Sequence, residues 1–213
     1  LTAEQYDAWY RTPRGSWIGE TEYRTLDRIL APTRGASILD VGCGTGYFTR
    51  RFALDGQRVT GIDRGASMLK VARARRAAGE RYVEADALAL PFEDGEFDYC
   101  VSVTALCFIA DELAALAEMF RVTRRRLALG LLNRRSILYL QKGRRGGMGA
   151  YHGAHWHTVR EVRRLFARMP CDAPQMGYAI FVPSGGRLAR SAERVLPKKL
   201  PFGAFLAVSA SVR

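Results

Sequence analysis

Apolar residues in this chain fall into short runs at about 37–41, 58–62, 81–85, 97–103, 127–132, 178–182 and 205–210. Each run is short, rich in branched or aromatic residues and bounded by Gly, Asp or Arg, which is the pattern of buried strands. Between them the period lengthens to that of a helix. Residues 21–31 carry a stripe of Tyr23, Leu26, Ile29 and Leu30, and helical patterns recur at 47–54, 66–77 and 111–123. Over 157–169, Val159, Val162, Leu165 and Phe166 share one face while Arg160, Arg163, Arg164 and Arg168 share the other. Strand and helix alternating through short connections predicts a parallel sheet with helices on both faces, and the chain reads as one domain over 1–213.

Three segments interrupt the alternation. Residues 1–20 hold Tyr6, Trp9, Tyr10 and Trp17 and include Pro13-Arg14-Gly15-Ser16, too irregular for a strand and too apolar for a free tail. Together with the next helix they form an amino-terminal lid over 1–30. Residues 133–156 are a long polar loop, a length that usually signals function or disorder. Residues 183–203 separate the last two strands by more than a hairpin needs, and include a short basic helix and Pro197-Lys198-Lys199-Leu200-Pro201-Phe202. The last two segments are expected to be insertions on the substrate side.

The most informative stretch is Ile38-Leu39-Asp40-Val41-Gly42-Cys43-Gly44-Thr45-Gly46, followed by a helical run from Tyr47. It reads as strand, tight glycine turn and helix, the first unit of a nucleotide-binding α/β fold. Dinucleotide sites space their glycines G-x-G-x-x-G; here the spacing is G-x-G-x-G with an aspartate ahead. A phosphate disfavours that nearby charge, so Asp40 fits a cationic ligand group better. Asp63 ends the second strand, 21 residues after Gly42, where a carboxylate can accept two ribose hydroxyls. Asp86 follows the third strand and opens Asp86-Ala87-Leu88. A lone acid at such a place is usually a cap or turn residue; three in order at strand ends are not.

On these residues the chain resembles the class I S-adenosylmethionine-dependent methyltransferases, in the broad small-molecule branch that includes quinone-biosynthesis enzymes. The resemblance implies a Rossmann-like three-layer α/β/α sandwich. Its seven-stranded, mostly parallel sheet would have the order 3-2-1-4-5-7-6 with the last strand antiparallel. It implies S-adenosylmethionine as cofactor and S-adenosylhomocysteine as product. The expected site is Tyr10, Asp40, Gly42, Cys43, Gly44, Gly46, Asp63, Arg64, Met68, Asp86, Ala87, Leu88 and Thr104, with Leu69 joining Met68 as an apolar wall for adenine and Tyr6 and Tyr10 as lids. The activity implied is in-line methyl transfer to a small-molecule acceptor, in which positioning does most of the work.

Composition changes this picture in three places. The net charge of +12 is lopsided: residues 121–213 hold nearly all the excess of Arg and Lys. An RNA, an anionic membrane surface or an acidic substrate would answer to it, as would mere codon bias toward Arg. Of that group, Arg121, Arg124, Arg125 and Arg126 are expected at the sheet edge away from the ligand, whereas Arg134, Arg135, Lys142, Arg144 and Arg145 follow a strand's carboxyl end. The four cysteines form no C-x-x-C pair, which with the polar start suggests a reduced, cytoplasmic protein. All three histidines lie in Tyr151-His152-Gly153-Ala154-His155-Trp156-His157. With no carboxylate close in sequence, a metal site is not expected there. Packing at a helix start is the leading reading, and His155 is the candidate general base. No [DNS]-P-P-[YF] signature of nucleic-acid amine methylation follows the fourth strand. A non-catalytic partner protein on the same fold is the alternative from outside enzymes.

Overall fold

The computed structural model describes residues 2–213. Its centre is a seven-stranded sheet in the order β3-β2-β1-β4-β5-β7-β6. The strands are β1 (Ser37–Val41), β2 (Arg58–Asp63), β3 (Glu80–Glu84), β4 (Phe97–Val103), β5 (Thr123–Leu132), β6 (Gln175–Ala179) and β7 (Phe205–Ser211). Parallel pairing joins β1 through β5, and β7 runs antiparallel to both β5 and β6. The expected fold class is therefore the observed one. β1, β4 and β7 are buried along almost their whole length, as central strands covered on both faces must be.

Seven α-helices flank the sheet among the described residues: α1 (Ala3–Trp9), α2 (Pro13–Leu30), α3 (Tyr47–Leu54), α4 (Ala66–Ala74), α5 (Glu112–Arg121), α6 (Val159–Phe166) and α7 (Arg187–Val195). α2 lies along β5, β6 and β7, α3 along β2, and α4 along β3. Phe120 of α5 meets Phe166 of α6 edge to face, centroids 5.9 Å apart. The amphipathic reading of α6 holds, with Val162 and Phe166 buried and its arginines exposed. Thr158 caps it in a reciprocal box with Glu161.

Several boundaries differ from expectation, each for a tertiary or turn-chemistry reason. α2 starts at Pro13, well before residue 21, because Thr12 caps it and Pro13 occupies its first turn. β5 starts at Thr123, since β4 pairs with it from Phe97 and β7 from Ser211. Arg124, Arg125 and Arg126 are thus strand residues. The first two pair with Asp98, and Arg126 donates to the Ile29 and Leu30 carbonyls ending α2. β6 spans Gln175–Ala179 because its register follows β7 and Ile180 takes a left-handed φ of 62°. α4 stops at Ala74, and Arg75 turns away to pair with Asp7.

Residues 133–156 are ordered by short turns between Tyr139 and Tyr151. Trp156 is buried between Tyr139 and Tyr151, and the Asn133 amide donates to the carbonyls of Pro201 and Gly203. Residues 183–203 fold back on the start of α2. Arg14 donates to Pro183, and Arg190 donates to Pro13 and covers Trp17.

Candidate active site

The carboxyl ends of β1, β2 and β4 open into a cleft of about 470 Å³. Gly42 and Gly44 form its floor, Asp63 and Asp86 its polar rim, and Met68, Leu88, Phe108 and Ile109 its apolar walls. Tyr6, from α1, closes one end. A strand-end crevice of this kind is where open α/β sheets take their ligands.

The glycine turn is built for close approach. Gly42 has φ +74°, and a Cβ there would lie 2.2 Å from the Cβ of Ala105. Its N–H and that of Cys43 both donate to the Ile62 carbonyl at 2.8 Å, fastening the turn to β2. Gly46, also at positive φ, begins α3, and the space beside it is filled by the Tyr82 hydroxyl. Gly46 lines no part of the cleft; it serves the turn.

Asp63 is held by two backbone donors, Gly44 N–H at 2.9 Å and Gly65 N–H at 2.8 Å, one to each oxygen. Both oxygens are thereby held in place where Asp63 lines the cleft. Asp86 accepts from Leu88 N–H at 3.0 Å, which shapes the turn around Ala87. Thr104 lines the cleft in a left-handed conformation, φ +59°, with its N–H bonded to the Gly130 carbonyl at 2.7 Å. A β-branched residue held there carries about 1–3 kcal/mol of backbone strain, a common feature of functional sites. Arg64 is on the exposed lip.

A narrower recess continues inward, lined by Tyr6, Tyr10, Asp40, Gly42, Cys43, Tyr47 and Phe48. Tyr10 and Cys43 belong to this recess and not to the main cleft. The Tyr10 ring stacks on Tyr47 at 4.0 Å and its hydroxyl meets that of Tyr6 at 3.2 Å. Asp40 is buried and accepts from Thr49 Oγ1 at 2.6 Å. Burial, only partly offset by that bond, pushes its carboxyl up to about 7. Among the described residues it has no cationic partner, so a cation in the recess would meet a carboxylate waiting for one. Burial also raises the Tyr6 and Tyr10 hydroxyls, keeping both protonated at neutral pH.

Three expectations need correction. Leu69 does not wall the cleft; it is buried with Cys43, Ala72 and Tyr82 beneath it, one helical position round from Met68. His155 lines neither space, its Nδ1 standing 3.1 Å from Glu112 Oε1. The absence of a carboxylate near the histidines was a property of sequence distance alone, because α5 brings Glu112 to both His155 and His157. Sequence reasoning also missed Glu22. Burial pushes its carboxyl up to about 8, although it lines neither the cleft nor the recess. Its place in the apolar rhythm of α2 was the one available signal.

Residues 39–127, which span β1 to β5, match the family described as "Methyltransferase domain". The matched segment holds the glycine turn and all three strand-end acids. Over 90 residues it is 46% identical to malonyl-[acyl-carrier protein] O-methyltransferase of Serratia marcescens, covering 42% of this chain and 35% of that protein. Over 161 residues it is 34% identical to an uncharacterized methyltransferase of Mycolicibacterium gilvum, covering 75% of this chain and 62% of that protein. The chain thus spans only 35–43% of the length of the malonyl-[acyl-carrier protein] relatives it matches. The methyltransferase fold extends over the whole chain: a SAM-dependent methyltransferase of Thermotoga maritima superposes with a TM-score of 0.77, covering 99% of this chain and 95% of that one at 21% identity.

Proposed function

We propose that this chain binds S-adenosylmethionine in the cleft and transfers its methyl group to a small-molecule acceptor. The observation that carries the reading is Asp63 and Asp86 on the rim of the glycine-floored cleft, with Asp40 in the recess beside it. The donor set fits the group. The recess offers a buried carboxylate to an ammonium, the cleft rim offers an oriented carboxylate to a ribose diol, and Asp86 keeps one oxygen for an exocyclic amine. Met68, Leu88 and Ile109 supply flat apolar surface for a purine. When bound, S-adenosylmethionine supplies a methyl carbon already activated by its sulfonium.

The chain's own residues position and enclose. Gly42 and Gly44 let the backbone reach the ligand, and Tyr6 and Tyr10 cap the inner end and exclude water. Thr104, which lines the cleft and is fixed by its bond to Gly130, would lie nearest the transferred methyl group.

Calorimetric titration with S-adenosylmethionine and S-adenosylhomocysteine tests the reading. Micromolar binding of both, one per chain, is expected, followed by homocysteine-nucleoside release with the right acceptor. A well-folded sample that binds neither would refute it.

A further inference from the structure

Against the 3-10 turn Ala105–Phe108, three side chains from distant parts of the chain meet: Glu112, the first residue of α5, and His155 and His157, just before α6. All three ligand atoms lie within 4.8 Å of one another. His157 Nε2 is 3.0 Å from Glu112 Oε1, and His155 Nδ1 is 3.1 Å from the same oxygen. His157 is fully buried and Glu112 nearly so, while His155 is half-exposed. Despite their closeness, neither His157 Nε2 nor Glu112 Oε1 has a hydrogen-bond partner. Two buried polar atoms are thus aimed at one point with nothing to satisfy them.

The backbone under these ligands is fixed. His157 N–H donates to Leu132 at 2.8 Å and its carbonyl accepts from Arg134, pinning it to the end of β5. His155 N–H donates to the Cys107 carbonyl at 2.7 Å. The second nitrogen of the His157 ring, Nδ1, faces Cys107 Sγ at 3.8 Å, which leaves Nε2 directed at Glu112. Ligands each about 2.1 Å from an ion, at tetrahedral to octahedral angles, sit about 3.0–3.4 Å apart. The two separations, 3.0 and 3.1 Å, fall in that range.

We propose that Glu112, His155 and His157 form a binding site for a divalent first-row transition ion, of the two-histidine, one-carboxylate kind. The two imidazoles now stack, centroids 4.4 Å apart and planes 8° from parallel. The half-exposed His155 ring turns about its Cα–Cβ bond to aim Nδ1 at the shared ion, and solvent reaches the site past it. The remaining coordination positions are open to water. An ion there ties the 133–157 segment to α5, directly after the Phe108–Ala110 wall of the cleft.

The test uses the full chain, stripped with a chelator and titrated with Zn2+ by calorimetry and with Co2+ by its visible absorption. One equivalent per chain is expected, with Co2+ bands of a nitrogen and oxygen site. His155→Ala and Glu112→Gln should each weaken Zn2+ binding at least about tenfold, while His152→Ala, at an exposed position nearby, leaves it unchanged. His155 is exposed enough that its loss spares the fold, which circular dichroism checks. No stoichiometric binding at about 100 μM ion, or equal binding by the His155→Ala and Glu112→Gln chains, overturns the proposal. Neither titration needs S-adenosylmethionine, so the result is independent of the proposed activity.

Discussion

Asp40 is the residue on which burial and ligand chemistry meet most directly. Its folded-state pKa of about 7 stands above the usual aspartate value of about 3.9. Between those values the native chain keeps a proton that the unfolded chain gives up. This group's contribution to stability therefore falls as pH rises from about 4 to about 7, and is flat beyond. A cationic ligand reverses the preference by favouring the carboxylate. Affinity for S-adenosylmethionine is expected to rise between about pH 5.5 and 7, with proton release on binding that shows in buffers of different ionisation enthalpy. Asp40→Asn should abolish that slope. Asp63 acts through orientation: Asp63→Ala removes the ligand's acceptor and also frees the Gly44 and Gly65 N–H groups. A fall in cofactor affinity of more than about tenfold is expected in the same titration, as charged hydrogen bonds contribute about 1.5–3 kcal/mol each.

At the scale of elements, α1 is the part that cannot stand alone. A helix as short as Ala3–Trp9 is unstable in isolation, so its place over the recess depends on tertiary anchors. The main one is Asp7, buried between Arg75 after α4, Arg50 of α3 and its own Arg11. Asp7→Ala should loosen α1 without disturbing the sheet. Hydrogen exchange would then quicken over residues 3–9, and cofactor affinity would drop several-fold. The glycine turn is the opposite case, an element locked from both sides. Gly42→Ala combines a left-handed backbone with a clash against Ala105, and should cost about 2–4 kcal/mol in urea unfolding. The turn was legible in the sequence because its requirement for small residues is written at contiguous positions. The start of β5 was not, since three successive arginines read as a solvated turn until β4, β7 and the carbonyl end of α2 are there to receive them.

For the molecule as a whole, the basic half is less free than its charge suggests. Arg121 pairs with Glu118 and Asp94, Lys198 with Glu193, and Arg213 with Asp172, so part of the excess is spent within the fold. No described helix is long and apolar enough to cross a membrane. All four cysteines are free and buried, and burial raises each thiol, so native protein should resist alkylation until it unfolds. Ligand binding to the native state alone raises its stability by mass action. At about 100 times Kd the gain is about 2.7 kcal/mol, which for a chain of this size moves the melting temperature by about 5–10 °C. Thermal melts with S-adenosylhomocysteine should show that shift, and the Asp63→Ala chain should not.

The sequence by itself determined the strand, glycine turn and helix and the three acids at strand ends, whereas the sheet order came only with the family resemblance these carry. Those features depend on local period, on positive φ and on spacing along the chain, all of which contiguous residues encode. Only the tertiary structure decided that Leu69 lies beneath the cleft and that Asp7 anchors α1. It alone brought Glu112 to two histidines whose nearest acid in sequence, Glu161, is occupied capping α6. Each of these is a meeting of side chains from different elements. Their distances are set by how helices pack across the sheet, which no single stretch of sequence specifies.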